Sequence, residues 1–173
     1  DYRIEVLDAE GRRPVWNLIM LNDSRNGMNA EPLDWLRGEI SSMKSAMELP
    51  PPAFLFFHIP IKQYEDLAKS KNAVGTKMEN LGVSGCSPDA FDVIRGAGFI
   101  KGTFCGHDHT NNYWGWQDGV FLQYVRSTGY GGYGWERCKK GATIIDIDTA
   151  SGEFKTTTVF GDGSTWAPKI FVG

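Results

Sequence analysis

The stretch Phe99-Ile100-Lys101-Gly102-Thr103-Phe104-Cys105-Gly106-His107-Asp108-His109 decides both the fold class and the place to look for function. Its first seven residues form an apolar, β-prone run, and the run breaks at Gly106 into a tetrapeptide that holds two of the chain's three histidines. The third, His58, closes a second apolar run, Ala53-Phe54-Leu55-Phe56-Phe57, and Ile59-Pro60 stops that strand because proline cannot donate to a ladder. Every histidine therefore stands where a buried strand ends. Ligands of open α/β sheets gather outside the carboxyl ends of the strands, and neutral imidazole is a common ligand of Zn, Fe, Ni and Cu. A lone histidine at a strand end is more often a hydrogen-bonded structural residue. Three at strand ends, two of them in a G-H-x-H, favour metal ligation, with a turn after Cys105 aiming His107 and His109 at neighbouring ions.

Outward from this stretch the chain alternates strands and helices before it and turns to hairpins after it. Strands are predicted over 3–7 and 15–21, separated by a turn at Ala9-Glu10-Gly11, and Asn22-Asp23-Ser24-Arg25-Asn26-Gly27 reads as a loop. Leu33, Leu36, Ile40, Met43 and Met47 recur with the period of one buried helix face over 32–47, with Pro32 in the first turn. A short helix is predicted over 61–70. Residues 71–85 have no clear period. Ser87 is the expected cap of a helix with Pro88 at its first position, Phe91 and Ile94 inward, and an end at Gly96 or Gly98. After the histidine turn come hairpins over 112–116 and 120–125, around Gln117-Asp118-Gly119, and over 142–148 and 154–160, around Ser151-Gly152. The expected fold class is α/β: a mixed sheet with helices on one face and a C-terminal antiparallel meander.

Composition narrows the partners. The chain has 173 residues, 41% hydrophobic and 13% aromatic, enough for a core, and a net charge of −3 that argues against nucleic acid or an anionic membrane. Its longest apolar runs are far too short for a membrane span. The three cysteines, Cys86, Cys105 and Cys138, leave at least one unpaired. Cys105, inside an apolar strand, reads as a small buried hydrophobe; Cys86 and Cys138 could form a disulfide in an oxidising compartment.

The blocks Phe56-Phe57-His58-Ile59-Pro60, Cys105-Gly106-His107-Asp108-His109-Thr110-Asn111 and Arg126-Ser127-Thr128-Gly129-Tyr130-Gly131-Gly132-Tyr133-Gly134 resemble the calcineurin-like metallophosphoesterases, in particular their purple-acid-phosphatase-like branch. That family carries five ligand blocks: D-x-H, G-D-x-x-D, G-N-H-D/E, a single H, and G-H-x-H. Only the last two occur here. The resemblance implies that residues 1–173 form the C-terminal part of a catalytic domain, half of a four-layer α/β/β/α sandwich, whose partner is the N-terminal half of the same domain. It also implies phosphoester hydrolysis by two divalent or trivalent ions (Fe, Zn or Mn). Residue by residue, His58 and His107 would bind the second metal and His109 the first, and a chain with these ligands alone would be catalytically silent.

The glycine-rich stretch from Thr128 to Trp135 can approach a ligand closely, and with the resemblance it would rim the metal site. Arg126 and Tyr130 are then candidate donors to a phosphate oxygen or the leaving group. Asp23 could face the same sheet edge or form an Asx turn. Asp108 reads as solvent-facing or as an acceptor fixing a histidine tautomer, and Asn111 and Asn112 as outer ligand support or turn residues. Arg137, Lys139 and Lys140 read as a solvated loop. Two rival classes remain: a degenerate phosphatase-like subunit that keeps its histidines without turnover, and a binding module whose Tyr113, Trp114, Trp116, Tyr124 and Trp135 stack on a carbohydrate or peptide.

Overall fold

The strand that ends in Cys105 is the middle of a seven-stranded mixed sheet. The computed structural model describes residues 1–23, 26–83, 85–134, 136 and 138–167; Ser24, Arg25, Trp135 and Arg137, named above, lie outside the described residues. In chain order the sheet contains β1 (Tyr2–Leu7), β2 (Pro14–Met20), β3 (Ala53–Phe56), β4 (Val74–Thr76), β5 (Ile100–Cys105), β6 (Asn112–Gln117) and β7 (Val120–Tyr124), arranged β1-β2-β3-β5-β7-β6-β4. The four strands β2, β3, β5 and β7 run parallel, while β1, β6 and β4 pair antiparallel at the flanks.

Parallel neighbours need crossovers: α1 (Ala30–Ala46) connects β2 to β3, α2 (Lys62–Lys69) and α3 (Ala90–Ala97) with β4 between them connect β3 to β5, and β6 lies in the connection from β5 to β7. The helices' apolar stripes (Leu33, Leu36 and Met43; Tyr64 and Leu67; Phe91 and Ile94) join Ile19, Leu55, Ile100 and Leu122 in one core on a single face of the sheet. The opposite face carries Trp16, Phe54, Phe104, Trp114 and Phe121. It is covered by a separate three-stranded antiparallel sheet of β8 (Gly141–Ile147), β9 (Phe154–Phe160) and β10 (Thr165–Trp166), whose Ile145, Ile147, Phe154 and Trp166 pack inward. The described residues thus stack as helices, large sheet and small sheet. Edge strand β1 and outer strand β8 leave Tyr2, Ile4, Leu7 and Ile144 exposed.

The α/β expectation holds, and the departures have local causes. Helix α1 starts two residues before Pro32 because Asn29 caps it, its side chain accepting from the Glu31 amide at 3.2 Å. Met47 falls past its end, extended and exposed, so it is not part of the buried stripe. Ser87 is not the cap of α3: that position falls to Asp89, and the Ser87 carbonyl instead accepts from Ala90 N in a preceding turn. β4 and β10 were not expected, since each is too short to show alternation and exists through pairing with β6 and β9. The C-terminal meander forms its own sheet rather than extending the first. All three cysteines are free, so Cys86 and Cys138 do not pair. Tyr113, Trp114 and Tyr124 are buried and Trp116 packs beside Trp114 between the sheets, so these four do not form the exposed stacking surface that an aromatic binding module requires. Lys140 is also buried, not solvated; Lys139 beside it is exposed and pairs with Asp162 at 2.5 Å. No helix among the described residues is long and apolar enough to cross a membrane.

Candidate metal centre

Because β2, β3, β5 and β7 are parallel, their carboxyl ends share one edge, and a candidate polar residue follows each: Asp23 after β2, His58 after β3, His107 and His109 after β5, Arg126 after β7. Asp23 is 2% exposed. Its carboxylate accepts the backbone amides of His58 at 3.1 Å and Ile59 at 2.5 Å, so it fixes the turn that presents His58. Asp23→Ala would strip two buried N–H groups of a charged acceptor, each such bond being worth about 1.5–3 kcal/mol. Urea unfolding is expected to show a loss of at least ~2 kcal/mol, with a change below ~0.5 kcal/mol assigning Asp23 to an ordinary surface turn.

His107 takes a positive φ of 88°, which a non-glycine residue adopts only under constraint. The constraint is visible. Gly106 N donates to the His58 carbonyl at 3.1 Å, tying the two histidine turns together. The Tyr124 hydroxyl accepts from Asp108 N at 2.6 Å and donates to Asp108 Oδ2 at 2.7 Å. Burial pushes the Tyr124 phenol far above its usual range, with the nearby Cys105 and Asp108 adding to the effect, so it stays a neutral donor. Asp108 also accepts Gly82 N at 3.1 Å; its partners are thus a phenol and an amide, not a histidine. Residues 78–82 lie across the turn: Asn111 Oδ1 accepts the Met78 and Glu79 amides at 3.0 and 3.3 Å, and Glu79 accepts Thr110 N at 2.6 Å. Burial works to raise the Glu79 pKa, yet bonds from Thr110 and Tyr133 hold it below the ordinary value. Gly82 rests on the His107 ring, where a Cβ would come within 2.7 Å of Nε2.

The result is a convergence of His58 and His107. His107 Nδ1 stands 3.2 Å from His58 Nε2, the rings edge to face at 88° with centroids 5.1 Å apart. His109 lines the same cavity, of about 320 Å³, together with Arg126, Ser127, Gly129 and Gly132. Its ring does not join the pair: it stacks on Tyr133, with centroids 4.2 Å apart and planes 12° from parallel. No three metal-ligating side chains come together among the described residues. Arg126 is largely buried, donates from Nε to the Lys139 carbonyl at 2.5 Å, and lies 5.9 Å from the Phe160 ring centroid. Tyr130 is 63% exposed and its hydroxyl points at Gly161, away from this cavity. Tyr133, not singled out in the sequence, is the tyrosine against His109. Cys105, completely buried, has a thiol pushed well up by burial and so stays protonated, which suits packing and not ligation.

Tyr124→Phe would leave Asp108 N without its phenolic acceptor at the base of the turn. We expect a cost of about 1–3 kcal/mol in chemical denaturation; a change below ~0.5 kcal/mol would show that the phenol does not hold the turn.

No family model matches the chain, and no solved structure matches it significantly. Curated relatives do. The chain is 30% identical over 121 residues to probable inactive purple acid phosphatase 28 of Arabidopsis thaliana, a match covering 69% of the chain and 30% of that protein. It is 30% identical over 117 residues to probable inactive purple acid phosphatase 29 (65% and 30%) and 32% identical over 138 residues to probable inactive purple acid phosphatase 14 (76% and 32%), both from the same plant. The chain thus spans about a third of the length of the curated relatives it matches. With its histidine blocks at the ends of parallel strands and these relatives over most of its length, the chain belongs to the purple acid phosphatase-like proteins.

Proposed function

We propose that this chain supplies one side of a two-metal phosphoesterase centre, with His58 and His107 holding one ion, His109 facing the other, and the remaining ligands coming from polypeptide outside these residues. The observation that supports it most directly is the 3.2 Å between His58 Nε2 and His107 Nδ1. At metal–nitrogen distances of about 2.0–2.1 Å, two nitrogens that far apart subtend about 100–105° at a shared ion, between octahedral and tetrahedral values. Two imidazoles do not complete a coordination shell, and no carboxylate bridges them among the described residues. The ligand set therefore fits a partial site. Zn and Fe suit imidazole, and oxygen ligands from elsewhere would admit Mn.

Paired ions supply Lewis-acid polarisation of a phosphoester and activation of a water nucleophile. The chain's own residues do the rest. Asp23 and Tyr124 hold the two histidine turns rigid, the buried face behind β3 and β5 keeps the imidazoles in register, and Arg126 offers guanidinium N–H groups to phosphate oxygens from the cavity wall. Tyr130 has no part in this reading, because it lies at a different surface.

The curated relatives carry "probable inactive" in their names, which makes turnover the point to test. The experiment is metal analysis and p-nitrophenyl phosphate hydrolysis by the longest natural polypeptide that contains this chain. Two bound ions with hydrolysis support the proposal. Bound ions without hydrolysis would identify a phosphatase-like protein that keeps its histidines but not catalysis, and absence of bound ions would overturn the ligand assignment. The 173-residue chain alone is expected to be silent in the same assay.

A further inference from the structure

Lys140 is the most anomalous side chain outside the histidine pair. It is 1% exposed, and among the described residues its ammonium meets only neutral oxygens: the Tyr133 carbonyl at 2.8 Å and Ser127 Oγ at 3.2 Å. A buried ammonium is costly unless its bonds secure something. These two acceptors lie at either end of the glycine-rich loop, and Gly141 N closes the same loop onto the Ser127 carbonyl at 3.0 Å. Lys140 therefore pins the loop shut from beneath.

What the pinned loop holds is His109. Its ring lies flat on the Tyr133 ring at 4.2 Å, its amide donates to the Tyr133 hydroxyl at 3.1 Å, and its Nδ1 is 3.3 Å from the Tyr133 carbonyl. That carbonyl is the oxygen that Lys140 grips. Gly132 closes the third side, where a Cβ would fall 2.5 Å from His109 Cε1. A carbonyl can only accept, so its contact with Nδ1 is a hydrogen bond only when Nδ1 carries the proton. The lone pair is then on Nε2.

We infer that Tyr133, locked by Lys140, is a positioning residue that fixes His109 in the Nδ1–H tautomer and presents Nε2 as its ligating nitrogen. The use of that nitrogen rests on the metal-centre reading; the tautomer does not. Fixing a ligand's tautomer through a carbonyl on its other nitrogen is the general device by which proteins orient metal-binding imidazoles. Here the fixing element is a loop carbonyl, itself anchored by a buried cation.

The test is a long-range proton–nitrogen correlation spectrum of the 15N-labelled chain, without metal, at about pH 8, above the ordinary imidazole range. With three histidines in the chain, His→Gln variants assign each ring. His109 is expected almost wholly as Nδ1–H. Lys140→Met is expected to turn it into a mixture containing a substantial Nε2–H population, while the His58 and His107 signals stay in place. Should Lys140→Met fail to fold, Lys140→Gln, uncharged and one atom shorter, draws the donor back from the Tyr133 carbonyl and is expected to release the same restraint. Wild-type His109 in the Nε2–H form would overturn the inference, as would a tautomer unmoved in a folded variant. A metal titration of the same sample tests the functional reading separately: loss of zinc binding would count against the centre and leave the tautomer result standing.

Discussion

On the proposed two-metal reading, replacing His107 with alanine is expected to empty one metal position and lower any phosphoester turnover of the intact protein by more than a hundredfold. The size follows from position. Substitutions of residues that merely support a ligand cost about 10–100-fold in metal affinity or activity, and His107 is one of two imidazoles whose nitrogens face each other across 3.2 Å. Its positive φ and the packing of Gly82 against its ring hold the imidazole in this one place. Inductively coupled plasma analysis should find one ion fewer per protein, and the p-nitrophenyl phosphate rate should fall to background. Cys105→Ala, two residues away in the core, is the matched control: it removes a buried thiol and should reduce stability with the metal content unchanged. Wild-type turnover in the His107 variant would show that the ligand assignment is wrong.

Phe54→Ala is expected to be the most damaging change to the fold, at about 3–5 kcal/mol. Phe54 is fully buried on β3, with ring centroids 4.8 Å from Trp16, 5.1 Å from Phe104 and 4.8 Å from Phe154. The last contact decides the magnitude, because Phe154 belongs to β9. The truncation opens a cavity between the two sheets as well as losing the transfer free energy of a phenyl group. For a chain of this size, with a domain stability of order 5–15 kcal/mol, the midpoint of thermal unfolding should fall by about 6–20 °C. Ile144→Ala, on the outer side of β8 and 49% exposed, should change stability by less than ~1 kcal/mol. Hydrogen exchange in the Phe54 variant should accelerate first in β8 and β9. Equal effects of the two substitutions would mean that the small sheet is not docked through Phe54.

The histidine placement was legible because it depends on local signals: apolar runs, a proline stop after His58 and a glycine before His107, each of which fixes where a strand ends. Parallel pairing then brings those ends to one edge, and the sequence shows the strand–helix alternation that requires parallel pairing. Asp23 was only half legible, since its partners, the amides of His58 and Ile59, are 35 and 36 residues away. A carboxylate two residues past the last apolar position of the predicted strand, Leu21, is the signal that could have favoured the sheet edge over an Asx turn. That Tyr133 and not Tyr130 lies against His109 was not legible, because a glycine-rich loop has no periodicity to say which of its tyrosines stacks on the imidazole. The burial of Lys140 was hidden for the same reason, as a lysine beside Lys139 reads as solvated until its acceptors, Ser127 and Tyr133, are brought around it. The edge strands β4 and β10 carry too few residues to alternate, so only their partners define them.

The most direct test of the central claim is the anomalous scattering of crystals of the intact protein grown with zinc, collected on both sides of the zinc edge. A peak lying about 2.0–2.1 Å from both His58 Nε2 and His107 Nδ1 is expected. A metal-saturated crystal with no peak between those two nitrogens, or with the ion bound elsewhere, would contradict the account.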